Sequence, residues 1–566
     1  MDILLFLAAI AILFVVIFIR EAFEAKKREK QFVESLYKDY GKIPEKEYSL
    51  ERYVRIASYY QKHAGEGQID DVTWNDLNMY DIFKRMNYTF SASGEEYLYY
   101  TLRNTRRTKE ELMHLEEVID FFQEHVDERV KIQFLMNQLG YTGKFSLYDY
   151  IDNLDYLGER SNAKHIFCNL LFIPLLILMP FQMSLSLMGI IILIIYNIMT
   201  YFKYKGEMEP YIISFSYVTR LIETCEKMVR VPVPVCSEEW KDMKARVAAM
   251  NGMRRGSFLV FSSNRGAATG NPFDMLIDYV KMIFHVDIIQ FNKMLSHLRS
   301  HLDDVDALIT NAGYVETAIA IGALRNSLEE YCVPELMEEN EADQKETFCV
   351  KDAYHLLIKE PVKNSISTDR GVLLTGSNAS GKSTFLKTVA LNAIFAQTIH
   401  TCMATEYKAP FFEIYSSMSL RDSIDSGESY YIVEIKALKR ILDVAENSDR
   451  RVLCFVDEVL RGTNTVERIA ASTQILKSLA GSRLLCFAAT HDIEMTELLK
   501  DYYANYHFEE DIRDGDVFFN YKLMQGKATT RNAIKLLEIM GYDASIIAKA
   551  ASQAEQFVNT GNWELA

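Results

Sequence analysis

The stretch LLTGSNASGKSTFLKT, Leu373–Thr388, decides the fold of the carboxyl-terminal part of the chain. It begins with apolar residues typical of a buried strand, turns on glycines and small polar residues, and continues with helical spacing. Its centre, from Gly376 to Ser383, matches the pattern GxxxxGK[ST]. The glycines let the backbone bend so that its N–H groups surround phosphate oxygens at the start of the following helix. The stretch therefore predicts a phosphate-binding loop between a strand and a helix.

Nine consecutive residues of this loop are predicted to contact a bound nucleotide. They are Gly376, Ser377, Asn378, Ala379, Ser380, Gly381, Lys382, Ser383 and Thr384. In this pattern Lys382 supplies positive charge to the β- and γ-phosphates, and Ser383 supplies a hydroxyl oxygen to Mg²⁺. ATP and Mg²⁺ are therefore the predicted ligands.

Two later apolar runs end on residues that suit phosphoryl transfer. The run RVLCFVDE ends on Asp457, which fits a metal partner, and Glu458, which fits the base that orients the attacking water. The run RLLCFAATHD brings Thr490 and His491 to the same edge of a parallel sheet, where ligands bind. A lone histidine is usually structural, but at this position we expect His491 to sense the γ-phosphate. Together these runs predict an ATPase.

Two uncharged apolar segments predict that the chain is held in a membrane. Ile3–Ile19 is seventeen residues long and is followed by basic residues, so we expect a retained anchor rather than a cleaved signal peptide. Ile166–Phe202 is thirty-seven residues long, which exceeds one crossing and fits a hairpin of two. A re-entrant first arm and a buried soluble hairpin are the alternatives. The sequence thus predicts a multi-pass membrane protein with three segments and a cytoplasmic ATPase domain.

The composition limits which partners the chain can bind through charge. The formal net charge of −16 argues against binding nucleic acid through overall charge. One basic stretch could still contact a phosphate backbone, although a solvated helix face explains it equally well. Its residues are Lys241, Lys244, Arg246, Arg254, Arg255 and Arg265. The eight cysteines form no CxxC pair, so we expect reduced thiols and no zinc site.

The residues around these apolar runs resemble the MutS family, the ABC-like ATPases of DNA mismatch repair. TGSNASGKST is similar to the family's TGPNMGGKST, and DEVLRGTNT, from Asp457 to Thr465, resembles DEIGRGTST. SGESYYIVEI, from Ser426 to Ile435, is similar to GxSTFMVEM and keeps Ser429. AATHD resembles the family's FATHY. The resemblance is strongest from residue 347 to the end and weaker upstream.

This resemblance implies an α/β P-loop ABC-like ATPase domain at the C-terminus, preceded by an all-α, MutS-core-like helical region. The apolar segments add the transmembrane helices to this fold class. It implies a homodimer in which Ser429 acts catalytically at the partner's nucleotide, beside Glu458 and His491. It also implies a clamp-like switch on mismatched or branched DNA. Because little chain separates the anchor from the core, we expect a membrane-anchored member lacking the mismatch-recognition domain. The alternative is an ATP-driven membrane switch or scaffold that acts on a protein or lipid partner with no DNA role.

The expected order of domains follows from these segments. It is a transmembrane anchor (1–20), a juxtamembrane helical stalk (21–71), the first part of a MutS-core-like helical region (72–165), a transmembrane hairpin (166–202), a second helical lever and core region (203–346) and the MutS-type ATPase domain (347–566).

Overall fold

A computed structural model describes two compact units of the chain. The described residues are 2–143, 145–261, 272–338, 348–377, 380–418, 430–461, 463–481, 483–513, 516–528, 534, 537–538 and 540–560. The first unit, which is helical, consists of Met1–His63, Asn87–Tyr100 and Glu117–Ser327. The second unit, which contains the sheets, consists of Ala64–Met86, Thr101–Glu116 and Leu328–Ala566.

Helices account for almost all of the described chain before residue 327. In chain order the α-helices are α1 (Asp2–Lys38), α2 (Leu50–Ile56), α3 (Ser58–His63), α4 (Asp71–Asp76), α5 (Met79–Met86), α6 (Ala92–Arg103), α7 (Lys109–Glu124), α8 (Val126–Leu139), α9 (Leu147–Asp152), α10 (Ala163–Leu178), α11 (Met183–Met208), α12 (Ile212–Met228), α13 (Ser237–Ala249), α14 (Asn251–Arg254), α15 (Ser257–Phe261), α16 (Pro272–Phe284), α17 (Val286–Arg299), α18 (Leu302–Asn326), α19 (Lys382–Thr398), α20 (Tyr430–Asn447), α21 (Thr465–Ser478), α22 (Glu494–Leu498) and α23 (Ala544–Thr560). Short 3₁₀ helices lie at Leu154–Leu157, Glu209–Tyr211 and Pro234–Cys236.

The predicted anchor and the start of the predicted stalk form one continuous helix, α1. At 37 residues this helix is about 55 Å long at about 1.5 Å per residue. Its C-terminal end is packed, because Leu36 is buried and the ring of Phe32 makes an edge contact with Phe90. The helix is thus attached to the first unit at its C-terminal end.

A buried carboxylate organises the centre of the first unit. Glu95, on α6, is fully buried and pairs with Arg55 at 2.9 Å and with Arg52 at 2.5 Å. The side-chain amide of Asn87 donates to the same carboxylate at 2.7 Å. A buried charge is strongly unfavourable unless it is paired and hydrogen-bonded. These partners meet that requirement and tie α2 to α6.

The second apolar segment forms a helical hairpin of α10 and α11. The two helices approach closely, because a Cβ atom on Gly189 would lie 2.7 Å from Cδ2 of Leu175. The hydroxyl of Ser186 donates to the backbone oxygen of Leu175 at 2.6 Å. Large apolar side chains on the outer faces stay exposed, including Phe167 at 63 % and Ile192 at 60 %. An apolar surface of this kind indicates a partner other than water.

By length and composition, two helical stretches of the described residues could cross a membrane. Leu302–Asn326 is mostly buried inside the first unit, which is typical of a core helix. In Met183–Met228 the most apolar window is mostly exposed, and the shorter apolar helix α10 packs against α11. Of these two stretches, the one that includes α11 is therefore the candidate for membrane association.

Among the described residues, twelve strands form the sheets of the second unit. They are β1 (Glu335–Met337), β2 (Phe348–Ala353), β3 (Asn364–Thr368), β4 (Gly371–Thr375), β5 (Glu406–Pro410), β6 (Phe412–Ser417), β7 (Arg451–Asp457), β8 (Leu484–Ala489), β9 (Tyr503–His507), β10 (Glu510–Arg513), β11 (Asp516–Phe519) and β12 (Met524–Gln525). The main sheet has the order β12-β9-β4-β8-β7-β6 and is parallel except for β12. A second sheet has the order β1-β5-β2-β3, and β10 pairs with β11.

The strand order explains why distant motifs meet. Every residue of β4 is buried, as expected for a parallel strand covered on both faces. Strand β8 lies between β4 and β7, so the loops that follow these three strands leave the same edge of the sheet. The α/β fold predicted for the carboxyl-terminal part is confirmed, with α19 directly after the loop that follows β4.

Helix α4 covers the edge strand β6 with buried hydrogen bonds. The carboxylate of Asp76 accepts from the hydroxyl of Ser416 at 2.7 Å and from the backbone N–H of Met418 at 2.9 Å. An exposed edge strand presents unpaired backbone groups. This contact protects the edge of the main sheet that lies beyond β7.

Candidate functional site

The loop between β4 and α19 depends on two glycines. Gly376 has a φ of +146° and Gly381 a φ of +110°, which side-chain-bearing residues rarely adopt. A Cβ atom on Gly376 would also lie 2.7 Å from the backbone oxygen of Phe508. Helix α19 begins directly after Gly381, so its free N–H groups face the space enclosed by the loop.

The lysine of the loop is almost completely buried. Lys382 is 5 % exposed, and its Nζ atom donates to the backbone oxygens of Gly376 and Ser377, each at 2.8 Å. Burial lowers the pKa of Lys382, and the nearby carboxylates of Asp457 and Glu458 act in the opposite direction. The cation is therefore held at the mouth of the loop by two carbonyl dipoles.

The remaining loop residues line the same space where the structure describes them. The hydroxyl of Ser377 donates to the carboxylate of Glu510. The Oγ atom of Ser380 is buried and has no hydrogen-bond partner among the described residues. Ser383 and Thr384 are exposed in the first turn of α19. Two predicted members, Asn378 and Ala379, lie outside the described residues.

These features fit a bound phosphate chain. The space beside Gly376 is closed to a side chain, and the unpaired Ser380 hydroxyl is a polar group that a ligand oxygen can satisfy. Free N–H groups at a helix N-terminus and a lysine Nζ are donors of the type that phosphate oxygens accept.

Glu458 occupies a strained position at the end of β7. Asp457 is the last residue of the strand and lies opposite Ala489 of β8. Glu458 has a φ of +58°, and its N–H donates to the backbone oxygen of Ala489 at 2.9 Å. Such a conformation is uncommon for a residue other than glycine, and it clusters at functional sites. The turn directs the two acidic residues to the edge of the sheet.

Two basic side chains hold the carboxylate of Glu458. Nε2 of His491 lies 2.7 Å from Oε1, and Nε of Arg461 lies 2.5 Å from Oε2. The hydrogen bond from His491, with the charge of Arg461, keeps the pKa of Glu458 below its ordinary value despite partial burial. The carboxylate is therefore ionised at neutral pH. Sequence reasoning missed Arg461, although it stands three residues after Glu458 in the quoted DEVLRGTNT.

A second acid supports this turn from α20. Glu434 is buried, and its carboxylate accepts from the backbone N–H of Leu460, which has a φ of +59°. Burial raises the pKa of Glu434 above its ordinary value. Sequence reasoning missed this residue too; the signal was a single acid in the apolar run YYIVEI. The predicted catalytic Ser429, one residue before α20, lies outside the described residues.

The loop, the acidic turn and α19 surround one cavity of about 840 Å³. Its lining includes Lys382, Ser383, Asp457 and Glu458, and it extends towards Tyr521. The structure thus brings together the predicted phosphate-binding, metal-binding and general-base residues. His491 reaches the group through its contact with Glu458.

Comparison with known proteins agrees with this geometry. Residues 372–558 match MutS domain V. The DNA mismatch repair protein MutS of Thermus thermophilus is 31 % identical over 180 residues, which cover 32 % of this chain and 22 % of the relative. The corresponding protein of Pseudothermotoga lettingae is 33 % identical over 216 residues, covering 37 % and 26 %. MutS protein homolog 4 of Mus musculus is 28 % identical over 291 residues, covering 48 % and 29 %.

The chain spans less than a third of the length of these curated relatives. The matched region contains the phosphate-binding loop, the acidic turn and the three central strands of the main sheet. The resemblance to the MutS family predicted from the motifs is thereby confirmed for residues 372–558, which match MutS domain V.

Proposed function

We propose that this chain is a membrane-tethered, MutS-like ATPase. It binds and hydrolyses ATP in a site completed by a second copy, and the cycle drives a clamp-like conformational switch. One observation carries the proposal: Lys382, Asp457 and Glu458 line a single cavity at the carboxyl edge of a parallel sheet. Ligands bind at this edge in open α/β sheets.

In this proposal, different residues of the cavity bind the phosphates, hold the metal and activate water. Lys382 exchanges its two carbonyl partners for phosphate oxygens, while the N–H groups of the loop and of α19 hold the rest of the phosphate chain. Ser383 and Asp457 would hold Mg²⁺, which would supply positive charge to the phosphates. Glu458, kept ionised by His491 and Arg461, orients a water molecule and can accept its proton.

The first prediction separates nucleotide binding from hydrolysis. We expect Lys382→Ala to lose nearly all ATP binding, because it removes the cation facing the phosphates. Glu458→Gln should still bind ATP but hydrolyse it about 10²- to 10⁴-fold more slowly, the range for loss of a general base. Equilibrium binding of labelled ATP and steady-state phosphate release would measure the two effects.

Exposed residues of α22 and its end provide matched controls. The controls are Lys500→Ala and Glu497→Gln, which change the same residue types as the two test variants. Their side chains are 58 % and 67 % exposed and lie outside the cavity. Both controls should bind and turn over ATP like the unchanged chain. Equal turnover in Glu458→Gln and the unchanged chain would remove Glu458 from the mechanism.

The proposed site between two copies depends on Ser429. In ABC-like ATPases, which the family resembles, a signature serine of one subunit faces the nucleotide of the other. A serine with the N-terminus of a helix can stabilise charge that develops on a phosphate. Tyr430, the first described residue after Ser429, lies in helix α20. The alternative is that this serine only caps the helix, a common role for serine.

The second prediction distinguishes these two roles by mixing subunits. Lys382→Ala and Ser429→Ala chains, each inactive alone, should form some heterodimers that contain one intact composite site. Partial ATPase activity should therefore return when the two are mixed, as measured by phosphate release. Two Lys382→Ala preparations mixed together serve as the control and should stay inactive. Full turnover by Ser429→Ala alone would exclude the shared role.

The membrane part rests on the α10–α11 hairpin. Helix α11, with 26 residues, is about 39 Å long at about 1.5 Å per residue, which is enough for the hydrocarbon core of about 30 Å. The outer faces of both helices expose large apolar side chains. With the apolar first half of α1, this gives three membrane segments and leaves the ATPase domain in the cytoplasm.

Mismatched or branched DNA is the partner that the family implies. A protein or lipid partner is the second candidate, because the basic stretch is partly neutralised. Arg246 pairs with Asp304 at 2.9 Å and Arg254 with Glu226 at 2.5 Å. The last member of the stretch, Arg265, lies outside the described residues. These pairs, with the net charge of −16, favour a partner that is not a polyanion.

The third prediction tests DNA binding by the detergent-purified full chain. If DNA is the partner, the affinity for a mismatched duplex should fall steeply as the salt concentration rises. The slope of log affinity against log salt concentration should steepen by about 0.9 for each phosphate contact. Lys244→Ala should then reduce this slope by about 1, whereas Lys500→Ala should not. Absence of binding at low salt would exclude DNA and favour the protein or lipid partner.

A further inference from the structure

The polarity of helix α16 is reversed relative to that of a helix in water. Its charged Lys281 is fully buried, whereas Tyr279 and Val280 are 55 % and 41 % exposed, and Phe284 is 37 % exposed. A surface helix of a water-soluble protein turns its apolar stripe inward and its charges outward. The outer face of α16 therefore suits an apolar environment.

The buried side of α16 satisfies its own charge. Nζ of Lys281 lies 3.5 Å from a carboxylate oxygen of Asp278, one turn earlier. Beyond the end of the helix, the buried carboxylate of Asp287 accepts from the hydroxyl of Tyr201 at 2.9 Å and lies 3.5 Å from Nζ of Lys205. Lys281 and Asp287 are thus buried and paired, as charges beneath an apolar surface must be, whereas the side chain of Asp278 is 43 % exposed.

The C-terminal end of α16 is capped by protein groups. The chain turns at His285, which has a φ of +53°, so the last carbonyls of the helix lose their intrahelical partners. Nδ2 of Asn197 donates to the backbone oxygen of Ile283 at 2.8 Å, and Nδ2 of Asn169 donates to that of Phe284 at 2.7 Å. At a wet surface water would serve these carbonyls, but in hydrocarbon only protein donors can.

Both capping amides come from the hairpin, Asn169 from α10 and Asn197 from α11. The ring of Phe284 also packs against Phe172 of α10, with ring centroids 5.4 Å apart. The imidazole of His285 donates from Nε2 to the backbone oxygen of Asn197 at 2.8 Å. The exposed apolar face of α16 is therefore continuous with the exposed apolar faces of α10 and α11.

We propose that α16 is embedded in the lipid bilayer beside the hairpin, as a further membrane helix of the first unit. This inference rests on the proposed membrane insertion of α10 and α11. With 13 residues, α16 is about 20 Å long at about 1.5 Å per residue, too short to cross a hydrocarbon core of about 30 Å. It therefore enters from one side, and Tyr279 suits the boundary between headgroups and acyl chains.

The test measures what surrounds the outer face of α16. The full chain, with the partly exposed Cys168, Cys332 and Cys349 changed to serine, receives one nitroxide label and is reconstituted into phosphatidylcholine liposomes. The labelled variants are Val280→Cys and, as a second probe of the same face, Tyr279→Cys. Collision rates with oxygen, which partitions into lipid, and with a polar nickel chelate are measured by electron paramagnetic resonance.

Two matched labels calibrate the experiment: Ile192→Cys on the outer face of α11 and Glu238→Cys on the exposed surface of α13. We expect labels at 279 and 280 to resemble that at 192, with an oxygen-to-nickel ratio several-fold above that at 238. A ratio equal to that at 238 would place the face in water and overturn the inference. Protection from both reagents would mean that protein, such as a second copy, covers it, and would also overturn the inference.

The two proposals fail in different ways. A water-like ratio at 192 would refute the membrane hairpin and, with it, the embedded α16. A lipid-like ratio at 192 together with a water-like or protected label at 279 and 280 would refute the embedded α16 alone.

Discussion

The candidate site depends on the two ion pairs that the carboxylate of Glu458 makes with His491 and Arg461. It exists because β8 separates β4 from β7, so that the residues after these strands leave one sheet edge together. The left-handed turn at Glu458 is held by a backbone bond to β8 and, two residues later, by Glu434 of α20. Strain at one residue is thus compensated by the sheet and by a buried acid.

Buried polar groups in the first unit also have local partners. Glu95 is buried and is stabilised by two guanidinium groups. At the hairpin, Asn169 and Asn197 complete the hydrogen bonding of a helix end whose outer face is apolar. In both places the charges and amides face inward. The hairpin is therefore joined to α16 by specific polar contacts rather than by apolar packing alone.

Much of the α/β domain could be predicted from the sequence because the motifs that define it are local. GxxxxGK[ST] requires glycines for the turn and a lysine for charge. Asp457 and Glu458 could be predicted because they stand at the end of a buried strand. The partners Arg461 and Glu434 could not be predicted, because their roles arise from a turn and from helix packing that spacing does not encode. Likewise, the period of α16 indicates a two-faced helix but not which face points inward. The role of Ser429 stays a prediction.

The most direct measurement is a cryo-electron microscopy structure of the Glu458→Gln chain in lipid nanodiscs with Mg²⁺ and ATP. We expect the triphosphate to occupy the cavity of about 840 Å³, with its terminal phosphate beside Lys382 and the side chain at 458, and a second copy facing it across the nucleotide. A cavity that stays free of nucleotide at saturating ATP, or nucleotide bound at another place, would contradict the account.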